Sequence, residues 1–410
     1  MGLVLRLAWR NLWRHPRRTW LTAGAMMFSN TLLVFMISLQ FGMYGLMIDS
    51  TLKSFVGHMQ IQAPGYLDDK KMRQTVADIA ALAQTLRGEL GSGVSVAARA
   101  TSFALASSEE RSYGIAIFGV QPRYEGEVST IPGLTGKGRF LGSDNAAEIV
   151  VGAALARNLH AGLGDDVTLL GSGLDGSIAA TVVTIVGIFE SGLSEYDRSI
   201  AEIPLGLFQS VFDMRGAGHE IVIDAPTLDD APAVQRRVEK LLPSGQSLVV
   251  HDWDALVPGL KQAIQADMSS SFFMYGVLVI LVAFSVLNTQ LMSVLERTHE
   301  FGIVMALGLT PGRLSRLVLL ESALMGLIGF VLGALLGGLL TWWVGVHGFS
   351  YPGMDELADR FNLPARIYPH VTAPSLLIGP AIVFAFTLLA ALYPALRLNR
   401  LRPVEAMRAV

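Results

Sequence analysis

Four long apolar runs constrain this chain more than any other feature: Leu21–Leu46, Phe272–Leu295, Leu317–Trp343 and Leu376–Leu396. Each has at least about 20 residues, which at roughly 1.5 Å rise per residue crosses a hydrocarbon core of about 30 Å as a helix. Glu321 is the one charged residue inside any of them. Buried helices of a large soluble protein carry a polar stripe and are shorter. These runs are therefore read as four transmembrane helices. The composition agrees, with 51% hydrophobic and 16% charged residues and a mean hydropathy of +0.47.

Lys and Arg near the ends of such runs set their orientation. Arg6, Arg10, Arg14, Arg17 and Arg18 precede the first run without an acid among them. Arg297, Arg313 and Arg316 follow the second run, and Arg397, Arg400, Arg402 and Arg408 the fourth. The loop after the third holds Arg360 and Arg366 against Asp355, Glu356 and Asp359. Both termini and the 296–316 stretch are expected in the cytoplasm, and the segment from about 50 to 270 outside. "RRTWLTAG" is similar to a twin-arginine export signal, but the apolar run after it exceeds the 7–15 residues of a signal core, so it reads as a retained helix. In "LVLRLAWRNLWRHPRR", Arg6, Arg10, Arg14 and Arg17 share one arc at 100° per residue while Val4, Leu5, Leu7, Ala8, Trp9 and Leu12 cover the rest. That is a helix lying on the membrane, ended or bent by Pro16.

Between the first two runs the texture is α+β. "HMQIQ", "VSVAARATSFALAS", "SYGIAIFGV", "EIVVG", "DDVTLL", "ATVVTIVGIFE" and "HEIVIDA" read as strands, and "QTVADIAALAQTLRGEL", "AALARNLHA" and "APAVQRRVEKLLP" as helices, in one body or two lobes. No constellation for chemistry emerges. "PGLTGKG" (132–138) is superficially similar to a phosphate loop, but it lacks the first glycine, and Gly138 stands where Ser or Thr must follow Lys137. His58, His160, His219 and His251 lack metal spacing, and the chain has no cysteine for a disulfide, thiolate nucleophile or metal site. The paired acids Asp68-Asp69, Asp165-Asp166 and Asp229-Asp230 read as solvated turns. A net charge of −3 gives no reason to expect a nucleic-acid partner. No enzyme active site and no cofactor in this chain are expected.

Four stretches resemble the permease subunits of the ABC transporters that include the macrolide exporter MacB, the cell-division protein FtsX and the lipoprotein-releasing LolC and LolE. They are "RNLWRHPRRTWLT"; "EIVVGAALARNLHAGLGDDVTLL" with "TIVGIFE" and "EIPLGLFQSVF"; "ERTHEFGIVMALGLTPGRL"; and "YPALRLNRLRPVEAMRA". They fall in order along nearly the whole chain, around a 1+3 helix arrangement. Phe301 stands where an aliphatic is usual, the 344–374 loop is longer than in the macrolide exporter, and a fused ATPase domain is missing.

The resemblance implies a surface helix at 1–19, membrane helices at 20–48, 271–295, 314–343 and 375–397, and a MacB-like periplasmic core domain at 49–270. It further implies a coupling helix at 296–313, an outer loop at 344–374 and a cytoplasmic tail at 398–410. Two permease protomers, identical or homologous, would each dock a separate cytoplasmic ATPase that binds ATP and Mg. The implied location is a bacterial inner membrane. The expected function is extraction of a lipoprotein or other hydrophobic substrate from the outer leaflet and its transfer to a periplasmic carrier or adaptor. The alternative is mechanotransmission that activates a periplasmic hydrolase and transports nothing.

For ATPase coupling, Glu296 and Glu300 lie one turn apart with Arg297 beside them, and Arg313 follows. Gly302 and Gly308 permit close approach or a helix end, and Thr310 reads as an N-cap with Pro311 at the first helical position. Gly329, Gly333 and Gly337 repeat every fourth residue, a small-residue face for helix packing within or between protomers. Glu321, costly in lipid without a partner, is expected to pair with Arg316 or Arg397. Phe35, Leu39, Met43 and Met47 of the first helix and Phe273, Val277 and Ile280 of the second are the candidate lining of an apolar substrate cavity. In the outer loop, "MDELADRF" places Met354, Leu357 and Phe361 on one side of a short helix.

Overall fold

The computed structural model describes residues 2–14, 16–243, 245–350, 352–354 and 366–398. Leu357, Phe361 and the tail arginines Arg400, Arg402 and Arg408, on which expectations were placed, lie outside them. In chain order the elements begin with α1 (Gly2–Leu12), α2 (Pro16–Thr51), a π-turn (Leu52–Val56), β1 (Met59–Gln62), α3 (Ile79–Leu90), β2 (Ser95–Ser107), β3 (Ser112–Val120) and α4 (Pro122–Val128). A 3₁₀ turn (Ile131–Leu134), β4 (Thr135–Gly138), β5 (Glu148–Gly152), α5 (Ala153–Leu159), β6 (Asp166–Ser172), β7 (Ile178–Phe189), α6 (Ser194–Ser199), β8 (Ile200–Pro204) and α7 (Leu205–Val211) follow. The chain continues through β9 (Glu220–Asp224), α8 (Ala231–Leu241), β10 (Val249–Asp252), α9 (Trp253–Leu256), α10 (Pro258–Glu296), α11 (Thr298–Ala306), α12 (Pro311–His347) and α13 (Ala373–Leu398). It divides into two compact units.

The first unit comprises Met1–Tyr44, Ile264–Tyr351 and Arg366–Val410. Among the described residues, four helices, α2, α10, α12 and α13, are long and apolar enough to cross a membrane. The glycines of α12 settle their own partner. A Cβ built on Gly329 would stand 2.6 Å from Met26 Cβ, one on Gly333 2.4 Å from Asn30 Cβ, and one on Gly337 2.7 Å from Val34 Cβ. The stripe therefore packs against α2 of the same chain, close enough that any side chain would force the backbones apart. Asn30, itself buried, donates from Nδ2 to the Gly329 carbonyl at 3.1 Å.

The second unit, Gly45–Ala263 with Pro352–Ala365, is built on one continuous ten-stranded mixed sheet, not two lobes. Its order is β10-β1-β9-β2-β3-β8-β5-β7-β4, with β6 pairing both β2 and β7. The long strand β2 makes this possible: its first half pairs with β9 and its far end with β6. Pairs β3–β8 and β5–β7 are parallel. Ala231, Val234 and Val238 of α8 fall at helical spacing and bury with Ile79, Leu86, Val96 and Ile223 in the main core.

Arg99, Glu125 and Glu202 lie fully buried in this unit, where an unpaired charge is untenable. The Arg99 guanidinium bonds Glu125 through two nitrogens, Nε reaching Oε2 at 3.2 Å, and donates to the Phe55 carbonyl while lying 4.1 Å from the Phe55 ring centre. Neither carboxylate oxygen of Glu202 has a hydrogen-bond partner. Burial, then the negative charge of Glu125, push the Glu202 acid well above the carboxylate range, with Arg99 opposing. Elsewhere His219 accepts from the Thr101 amide at Nδ1 (2.9 Å), so its proton sits on Nε2, which donates to the Met72 carbonyl (3.2 Å). Burial lowers its pKa to about 4.

Candidate coupling site

The connection between α10 and α12 is a compact corner. α10 stops at Glu296 because Arg297 takes φ −98°, ψ 8°, and α11 restarts at Thr298. Gly308 ends that helix at φ +99°, a left-handed conformation suited to glycine, as Leu309 N bonds back to the Val304 carbonyl. Thr310 is extended and Pro311 opens α12, but the Thr310 side chain makes no capping bond; its carbonyl receives the Arg313 amide. Val294, Phe301, Leu314, Val318 and Leu398 form a small buried cluster that fixes the corner on its helices. Phe301 fills that cluster.

One network ties three elements together there. Arg297 donates to Glu321 Oε2 at 3.0 Å, and the Asn11 side-chain amide of α1 donates to Glu321 Oε1 at 2.7 Å. Arg297 also lies 3.8 Å from Glu300 and over the Phe301 ring. The partner of Glu321 is thus neither Arg316 nor Arg397. Arg316 precedes Glu321 by five residues, about 140° round the helix, and both arginines are exposed. The break at Arg297 turns its side chain back over α12. A buried carboxylate so placed is satisfied by a cation and a neutral donor together.

The outward face of the corner has a different make-up. Glu296, His299, Glu300, Ile303, Ala306, Leu307, Gly308 and Arg313 are exposed, Leu307 at 84%, whereas Arg297 is mostly covered and Gly302 is buried. Ile303 and Leu307, one turn apart, add an apolar pair to the acids. Their spacing in "FGIVMALG" was the available signal, masked by surrounding hydrophobics.

At the other end of the helices, Met43, Met47, Phe273, Val277 and Ile280 are exposed, while Phe35 and Leu39 are half-buried, Phe35 edge-on to Phe349 at 6.3 Å. Close by in the first unit, Gln40 donates to Tyr44 Oη (2.6 Å) and Asp267 (3.2 Å), accepts from Tyr275 Oη (2.9 Å), and Tyr44 donates to Asp267. This polar clasp between α2 and α10 was not anticipated. Among the described residues, no group of three or more His, Asp or Glu is placed to hold a metal.

Residues 272–403 match the FtsX-like permease C-terminal family and residues 19–241 the MacB-like periplasmic core domain. The chain is 27% identical over 276 residues to the lipoprotein-releasing system transmembrane protein LolC of Xylella fastidiosa, covering 63% of this chain and 64% of that one. It is 24% identical to LolE of Haemophilus influenzae, covering 72% of each. It is 28% identical to the macrolide export ATP-binding/permease protein MacB of Sodalis glossinidius, covering 66% of this chain and 40% of that one. The chain thus spans just under two thirds of the LolC proteins it matches. With the core-domain family alone covering more than half of its 410 residues, the protein belongs to the MacB- and FtsX-like family of ABC transporter permeases.

Proposed function

We propose that this permease docks a separate cytoplasmic ABC ATPase on the α10–α12 corner and uses its cycle to extract a lipoprotein or another hydrophobic substrate from the outer leaflet. The exposed Glu300–Ile303–Leu307 face carries this reading, because it joins acids to an apolar pair on a corner braced by the buried Arg297–Glu321–Asn11 network. A helix whose solvent side is apolar needs a partner, and one whose inner side is clamped transmits displacement. Glu296, Arg297, Glu300, Gly302, Gly308, Pro311 and Arg313 form the docking corner or its support. In this reading both termini are cytoplasmic, the strand-rich domain is periplasmic, two protomers assemble with two ATPases holding ATP and Mg, and the Met43–Met47 and Phe273–Ile280 surfaces meet the cargo. The similarity to LolC and LolE favours lipoprotein.

Co-purification with an ABC ATPase subunit encoded beside this chain tests the docking. Glu300→Lys with Leu307→Glu is expected to lower recovery of the ATPase at least tenfold without loss of the folded permease. Unchanged recovery removes the proposal. A complex that hydrolyses ATP in proteoliposomes yet releases no lipoprotein would transfer the reading to mechanotransmission.

A further inference from the structure

The strand-rich unit contains a half-open cleft of about 650 Å³ that the coupling reading leaves unused. Gly136 and Lys137 of β4, Ala156, Arg157 and His160 at α5, and Ile188 of β7 line it, with Glu190 also on its wall. That volume lies within the range of ligand pockets, roughly 300–1,000 Å³. Lys137 and Arg157 are exposed and make no ion pair with any described residue. His160 is held by Glu110, Nδ1 to Oε2 at 2.9 Å. The excess of cations over Glu190 suits an anion, and the alanines with Ile188 suit an aliphatic side chain beside it.

The backbone supplies a second, independent pointer. β4 ends the strand order, so its outer side pairs with no described strand. Its pairing with β7 shifts register between Thr135 and Lys137, which leaves Gly136 outside the ladder, and a Cβ built on Gly136 meets nothing within 4 Å. A free edge of four residues spans about 13 Å, enough for one short strand. "PGLTGKG", which fails as a phosphate loop, here provides this edge and its lysine.

We propose that the cleft binds an extended, carboxylate-bearing segment of a partner protein, which adds as a strand to β4 and sets an acidic side chain against Lys137 and Arg157. Main-chain bonds to the edge supply affinity; the two cations and the aliphatic wall select the sequence. The site is separate from the ATPase corner and stands whatever docks there.

Fluorescence polarisation on the full-length chain in detergent tests it, with a labelled heptapeptide Thr-Glu-Thr-Leu-Thr-Glu-Thr as probe. Tenfold or greater weakening is expected when both Glu become Gln, when Lys137→Gln and Arg157→Gln are combined, and when alternate amides are N-methylated in one of the two phases. Glutarate at equal concentration should not displace the probe. Both variant side chains are exposed, so an unchanged melting curve is expected to accompany the loss. Equal binding by the Gln peptide, by the double variant or by both N-methylated phases overturns the proposal, as does no binding of the probe below 1 mM. Displacement by glutarate alone reduces the cleft to a small-anion site and also overturns it.

Discussion

Glu202 has neither oxygen bonded, so the folded chain keeps it as a neutral acid, whereas His219 is kept as a neutral base. Their linkages to stability have opposite signs. Glu202, raised on folding, contributes stability that is complete below its unfolded pKa of about 4.3 and is lost as pH rises towards its folded value, at about 1.4 kcal/mol per pH unit. His219, lowered from 6.5 to about 4, contributes stability that is complete above 6.5 and is lost as pH falls towards 4. The two linkages therefore act against each other, the Glu202 contribution falling away as pH rises and the His219 contribution as pH falls. Thermal unfolding of Glu202→Gln against the parent should show the variant gaining relative stability as pH rises; parallel curves would mean that Glu202 is ionised in the fold. None of this was legible in the sequence. Arg99, Glu125 and Glu202 are brought together only by the β2–β3 and β3–β8 registers, and the acids that drew attention were turn pairs. The Arg297–Glu321 pair was hidden for a related reason, since a helix break reverses the side chain.

The elements were far more legible, because helix length and glycine spacing are local properties. The every-fourth-residue stripe of α12 announced close packing, but whether its partner was α2 or another protomer depends on tertiary placement. Gly333→Ala would set a Cβ 2.4 Å from Asn30 Cβ and 2.9 Å from the Met27 carbonyl, atoms that cannot swing aside. It should cost about 1–3 kcal/mol by overpacking and lower the detergent melting temperature. Gly276→Ala on α10 meets nothing within 4 Å and should be neutral or stabilising by up to about 1 kcal/mol. Equal effects at the two positions would contradict the close α2–α12 contact. The expected strands reappear as strands, yet their union in one sheet was not readable, because β2 serves three neighbours in different registers.

The orientation proposed for the whole chain is open to a clean test, since the sequence has no cysteine to remove. Phe103→Cys, at a site 70% exposed, should react with an impermeant maleimide in intact spheroplasts, and Leu307→Cys only after permeabilisation. The reverse pattern would invert the topology. The strand order also has a mechanical meaning. β1 follows the helix that enters the strand-rich unit, β10 precedes the helix that leaves it, and the two are antiparallel neighbours with Met59 opposite Asp252. Both points of attachment therefore load the same end of one four-pair ladder. Pulling them apart peels its bonds in sequence, the low-force geometry, whereas moving them together strains none.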